Sequence, residues 1–225
     1  MKKMTKQIIE IGKRRLTVFS EADASSGTIL YLHMASADME QLVKKLDGVA
    51  AVLVAIDQVD WNRDLSPWPT KRAFRGGEDF GGGADAYLKE LTDTIIPAVE
   101  AELRFTPSCR MLAGYSLAGL FALYAFYRTD LFTRVGSISG SLWYDGFWEF
   151  MLANRPLVIP ERVYFSLGDR EKITRNQRLG VVEERTIQAE QLLHRLGAET
   201  IFELNPGNHF DDVPGRLAKG LKWLV

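Results

Sequence analysis

The chain alternates short apolar runs with longer segments of mixed pattern. "QIIEIGKRRLTVFS" alternates apolar and polar residues and turns near Gly12, which predicts a pair of strands. "TILYLHM" and "AAVLVAI" are continuous apolar, β-rich runs, the pattern of parallel strands covered on both faces. Between them "ADMEQLVKKLDG" has helical spacing and stops at Gly48. The next stretch, "DQVDWNRDLSPWPTKRAFRGGEDFGGG", is rich in Gly, Pro and Trp and predicts a long loop over about 57–83 near the active site, since a loop of this length inside a domain is usually functional or mobile. "ADAYLKELTDTIIPAVEAELRF" predicts a helix with Asp85 near its start and a break or bend at Pro97. Beyond it "CRMLAGY", "RVGSIS", "ERVYFSLG" and "ETIFELN" read as strands. "LAGLFALYAFYR", "VVEERTIQAEQLLHRLG" and "DDVPGRLAKGLKWLV" read as helices, the second closed by Gly197. Strand alternating with helix requires crossover connections, so the fold class is α/β, a mainly parallel central sheet with helices on both faces.

Composition narrows this picture. With 225 residues, 46% hydrophobic and 11% aromatic, the chain buries enough surface for one large domain over 1–225 rather than two small ones. A formal net charge of -1, from 28 basic and 29 acidic residues, supplies no field to attract nucleic acid or anionic lipid. No run approaches the roughly 20 apolar residues of a membrane span, and the basic N-terminus "MKKMTKQIIEIGKRRLTVF" is followed by no sustained apolar segment. The expectation is a cytoplasmic protein with neither nucleic acid nor membrane as partner. Cys109, the single cysteine, excludes an intrachain disulfide and a multi-cysteine metal site, and its place at a strand entrance reads as structural.

The chemistry centres on "MLAGYSLAGLFALYAF", where a strand runs into Ser116 and a helix runs out. That is the arrangement of a nucleophile elbow. Gly114 and Ala118 flank the serine at two positions on either side and let strand and helix approach closely; Gly119 adds clearance. The second glycine of G-x-S-x-G is here Ala118. The same turn sets the Leu117 N–H at the start of a helix, a donor for a developing oxyanion. A serine hydroxyl needs a base, and the chain offers His33, His194 and His209. His194 lies near the end of a helix and reads as a solvent-side residue. His33 follows an early strand and reads as a wall of the oxyanion loop. His209, in "NPGNHF" after the last predicted strand, emerges at the same sheet edge as Ser116 and is the base. The acid belongs after an intervening strand, and "SLGDREK" offers Glu171, with the greater reach, or Asp169 as the alternative; a serine–histidine dyad with neither is the third possibility.

These pieces together resemble the α/β-hydrolase superfamily, and within it the esterase family that includes esterase D, feruloyl esterases and enterochelin (siderophore trilactone) esterases. "ILYLHM", "NRDLSPW", "GYSLAGLFALYA", "SISGSLWYD", "SLGDREK" and "GNHF" carry the resemblance over most of the chain. It implies Ser116 as nucleophile and His209 as base, and members with G-x-x-E after this strand favour Glu171. Many relatives have Asp-Gly or His-Gly after the early strand where this chain reads His33-Met34-Ala35, so the second oxyanion amide falls to Met34 or Ala35. The chain lacks room for the extra N-terminal domain that enterochelin esterases can carry.

The expected reaction is hydrolysis of a small-molecule carboxylic ester through an acyl-enzyme, with aryl or siderophore-type esters as substrates and no metal or organic cofactor. "SISGSLWYDGFWEF" and "WNRDLSPWP" supply aromatics for a substrate wall. Trp143 is the best placed, His33 and Arg63 join it as substrate-binding candidates, and an ion pair with Asp60 or Asp64 competes for Arg63. Packing alone accounts for most of the aromatics taken singly. The alternatives are an acyltransferase on the same scaffold, like the mycolyltransferases, and a non-catalytic binding protein.

Overall fold

A computed structural model describes residues 4–21, 27–34, 36–104 and 106–225. The alternating N-terminal segment forms a hairpin of β1 (Met4–Ile11) and β2 (Arg14–Glu21) around Gly12, which takes a positive φ of 58°. The apolar runs form β3 (Thr28–His33) and β4 (Val52–Ile56), every residue buried, with α1 (Ser36–Lys45) between them. The later strands are β7 (Cys109–Tyr115), β8 (Arg134–Ile138), β9 (Arg162–Gly168) and β10 (Glu199–Asn205). They join one eight-stranded sheet in the order β1-β2-β4-β3-β7-β8-β9-β10, parallel from β4 onward and antiparallel where β2 meets β1 and β4.

Side chains alternate across this sheet into two cores. Ile29, Tyr31 and Leu112 face one, with α3 (Ala84–Glu90), α4 (Ile96–Glu102), α5 (Leu117–Arg128), α6 (Phe147–Ala153) and α8 (Val182–Leu196). Leu30, Leu32, Met111 and Ala113 face the other, with α1 and α9 (Val213–Leu224). Central α5 is buried from Leu117 to Tyr127, which explains why its sequence is apolar all round rather than striped. The break anticipated at Pro97 takes the form of a π-helical turn, Leu91–Ile95, immediately ahead of it. The missing Pro97 N–H removes the bond to the carbonyl four residues back, and the widened turn absorbs the loss.

The long loop is more ordered than its composition suggests. It holds a short helix α2 (Trp61–Asp64) and a two-strand ribbon of β5 (Pro69–Thr70) and β6 (Phe80–Gly81). Buried Arg14 reaches into it: Nη2 lies 3.0 Å from Asp64 Oδ2 and 2.7 Å from Glu90 Oε2, and Nη1 donates to Gln58 O at 2.8 Å. Helix α6 begins inside the stretch expected to supply aromatics for a substrate wall, and α7 (Gln177–Gly180) precedes α8 without a clear sequence signal. Among the described residues no helix is long and apolar enough to cross a membrane.

Candidate active site

The turn from β7 into α5 sets the geometry. Ser116 sits at φ 59°, ψ -122°, a strained conformation for a residue with a side chain. Its N–H donates to Ile138 O at 3.1 Å, and its carbonyl accepts from Gly119, Leu120 and Ser141 N–H at 3.0, 3.1 and 3.1 Å, so backbone bonds on both sides hold the strained turn. Gly114 is indispensable to it: a Cβ there falls 2.4 Å from the carbonyl carbon of Ala118. The close approach is made by the missing side chain at 114, and that is why the position two residues past the serine accepts alanine.

Strands β7, β9 and β10 end at one edge, where their following loops meet. His209 Nε2 lies 3.0 Å from Ser116 Oγ, and His209 Nδ1 lies 2.7 Å from Glu171 Oε2. Glu171 is nearly buried. Burial raises its carboxyl pKa, but hydrogen bonds from His209, the Gly168 N–H and Ser139 outweigh that and hold it below the ordinary carboxylate range. Asp169 has a different task, its Oδ1 accepting from Gly207 N–H at 2.9 Å and so tethering the loop that carries His209. The structure therefore brings Glu171, not Asp169, to the imidazole.

Two cavities meet at Ser116. The larger, about 700 Å³, runs between α1, α9 and the ends of β3 and β4 and is bordered by Met34, Trp61, Tyr115 and Phe210. The smaller, about 120 Å³, is walled by Trp61, Phe74, Phe80 and Trp143 and reaches Leu117 and Ser141. Trp143 lines the smaller cavity: it is 9% exposed, edge-on to Phe74 at 6.1 Å, with the Arg178 guanidinium over its ring at 5.3 Å. Trp68 instead packs among Tyr124, Phe147 and Phe150 and donates from Nε1 to Asp145 O at 2.9 Å, a core role.

Three expectations need correction. Arg63 borders neither cavity; Nε is 2.9 Å from Asp64 Oδ1 and Nη1 is 3.5 Å from Asp60 Oδ2, so its charge is spent inside α2 and its cap. The Met34 N–H points to Ile56 O at 3.3 Å, continuing the β3–β4 pairing, which removes it as an oxyanion donor although its residue lines the larger cavity. Ala35, the other amide considered, lies outside the described residues. His33 borders the larger cavity but is 2% exposed, with Nε2 2.8 Å from Tyr87 Oη and its ring edge-on to Phe121. Burial, with Arg14 adding and Asp64 opposing, pushes its pKa down to about 3, so it is a neutral wall rather than a substrate ligand. His194 closes α8, and Cys109 Sγ is 3.4 Å from Thr133 Oγ1 at a strand entrance.

Sequence reasoning missed Ser139, Tyr115 and Arg216. Ser139 follows β8 at φ 46° and donates to Glu171 Oε1 at 2.8 Å; the serines of "SISGS" at a strand end on the site edge were its signal. Arg216 sits on the apolar face of α9, with Leu217, Gly220 and Leu221 buried around it, and a charged residue on a buried face was the signal there.

A sheet in this strand order, with helices on both faces and a serine in the strained turn after β7, is the α/β-hydrolase fold. Within it the chain belongs to an esterase family: the family described as "Putative esterase" matches residues 24–217, and the protein is accordingly a carboxylic ester hydrolase. A Bacillus subtilis (strain 168) relative, "Uncharacterized protein YbbA", is 26% identical over 200 residues, 83% of this chain and 80% of its own. The siderophore hydrolase EstA from Aspergillus nidulans superposes with a TM-score of 0.74 at 21% identity, covering 98% of this chain and 93% of its own. An IroE-like serine hydrolase from Shewanella oneidensis superposes with a TM-score of 0.77 at 16% identity, covering 98% and 79%. At these identities the two structures speak for the fold.

Proposed function

We propose that the protein hydrolyses aryl or siderophore-type carboxylic esters through an acyl-enzyme on Ser116. The observation that carries this reading is the unbroken chain from Ser116 Oγ to His209 Nε2 at 3.0 Å and from His209 Nδ1 to Glu171 Oε2 at 2.7 Å. His209 takes the Ser116 proton as Oγ attacks the ester carbonyl, and Glu171 stabilises the imidazolium that forms. The Leu117 N–H, in the first turn of α5 where no intrahelical carbonyl precedes it, donates to the oxyanion. His209 then protonates the departing alkoxide, and water, deprotonated by the same imidazole, releases the acid and restores Ser116. No step calls for a metal or an organic cofactor.

The cavities support the choice of substrate. An aromatic-walled space of about 120 Å³ beside the nucleophile matches a single ring, while about 700 Å³ on the other side takes a bulky remainder. The names of two structural relatives, a siderophore hydrolase and an IroE-like serine hydrolase, point the same way. A cytoplasmic setting belongs to the proposal, and a single cysteine is consistent with it. The test is hydrolysis of matched aryl, short-chain and siderophore trilactone esters, with intact-mass detection of a fluorophosphonate adduct. Turnover of aryl or trilactone esters with one adduct at Ser116 supports the reading; a folded protein that neither turns over any of them nor labels overturns it.

A further inference from the structure

The geometry points to Arg216 as a positioning residue that holds Glu171 and His209 in register and offsets the carboxylate charge felt by the imidazole, an inference that rests on the Ser116–His209–Glu171 reading. Arg216 enters from α9, is 2% exposed, and makes contacts to several separate segments of the site. With Pro206 these make four segments in all, for its Nη1 is 3.2 Å from Glu171 Oε1, 3.2 Å from Ser139 Oγ and 3.2 Å from Tyr115 Oη. Its Nη2 donates to Pro206 O at 2.9 Å, in the loop that leads to His209. Tyr115 Oη, accepting from Arg216, donates onward to the His209 carbonyl at 2.7 Å.

The division of labour on Glu171 follows from these contacts. Oε1 takes Ser139 Oγ at 2.8 Å, the Gly168 N–H at 2.6 Å and the guanidinium, so it is saturated by donors. Only Oε2 is left, and it faces His209 Nδ1. A carboxylate pinned by one oxygen cannot swing away from the imidazole. The fold also makes room for the guanidinium: a Cβ on Gly168 falls 2.8 Å from Nη2 and 3.0 Å from Nη1. Burying an arginine on an otherwise apolar helix face is costly, and its Nε has no hydrogen-bond partner among the described residues. A surface anchor does not require that cost; a cation beside a buried carboxylate does.

The other titratable groups about the pair are Tyr115 from β7, Asp169 in the turn after β9 and Asp211 in the loop that carries His209. Asp169 is engaged with Gly207 N–H and Asp211 with Asn208 N–H, and Arg216 is the cation in contact with Glu171. Removing it leaves the full carboxylate charge acting on the imidazole.

The experiment measures the rate of fluorophosphonate labelling of the full chain, with kcat and KM on an aryl ester, for wild type, Arg216→Met and Arg216→Lys. Thermal unfolding of each variant is followed alongside. We expect Arg216→Met to lose about 10- to 100-fold in kcat and labelling rate with KM little changed. Arg216→Lys keeps the charge but not the fork, so it recovers part of the lost rate while remaining slower than wild type. A folded Arg216→Met with wild-type kcat and labelling rate overturns the inference. If that variant does not fold, Arg216→Lys decides: a slower rate with KM little changed supports the inference, and a wild-type rate overturns it. Absence of labelling on folded wild type is a different result, because it removes the Ser116 reading itself.

Discussion

Ser116 Oγ and His209 Nε2 stand 3.0 Å apart although 93 residues separate them in the chain. Two parallel strands ending at one sheet edge bring them together. If that contact activates the hydroxyl, Ser116→Ala loses at least about 10³-fold in kcat/KM and all fluorophosphonate labelling, with unfolding temperature nearly unchanged. Esterase turnover by the alanine variant at wild-type rate excludes the serine.

Glu171 and Asp169 lie two residues apart, and their hydrogen bonds separate their roles. Glu171→Gln keeps the shape but removes the charge that, in the proposed mechanism, stabilises the His209 imidazolium, so kcat is expected to drop by about 10²- to 10⁴-fold. Asp169→Asn loosens the tether to Gly207 N–H and is expected to cost less than about tenfold. Steady-state kinetics on one aryl ester decides the matter, and the reverse ranking assigns the acid to Asp169.

Much of this arrangement was legible because it is local or periodic. The strand–turn–helix around Ser116 is written in consecutive residues, and the sheet edge follows from alternation of strand and helix. Glu171 and His209 then fall at the ends of predicted strands. What could not be read depends on three-dimensional partners. For Arg63 the sequence left substrate binding and an ion pair with Asp60 or Asp64 both open, and the formation of α2 decides for the ion pairs. Met34 looked like an oxyanion donor because nothing in "HMA" reveals that its N–H extends the pairing to Ile56. Arg216 lies 45 positions beyond the carboxylate it touches, and only the burial of α9 discloses the link.

The asymmetry of the elbow gives a test of its packing. Gly114→Ala puts a methyl group 2.4 Å from the backbone of Ala118, and neither partner is a flexible side chain that can move aside. The expected loss is about 2–4 kcal/mol of stability, or failure to fold. Ala118→Gly relieves no clash and costs only the helix propensity of one residue, about 1 kcal/mol. Paired urea titrations compare the two, and equal effects contradict the close-approach account.

His33 makes the stability of the fold depend on pH. In the folded protein burial lowers its pKa to about 3, while in the unfolded chain it titrates near the ordinary value of 6.5. Below pH 6.5 the unfolded state therefore binds a proton that the folded state refuses. Stability from this group is complete above about pH 6.5 and falls with decreasing pH at up to about 1.4 kcal/mol per unit until the folded pKa is reached. Glu171 adds to the same trend lower down, since its depressed pKa stabilises the fold above the ordinary carboxylate range and loses that contribution as the carboxylate is protonated. His33→Gln keeps a polar partner for Tyr87 and removes the titration. Urea midpoints measured between pH 7 and pH 5 are expected to fall more steeply for wild type than for this variant. Parallel slopes imply that the imidazole accepts its proton inside the folded core, and the buried, neutral assignment of His33 then fails.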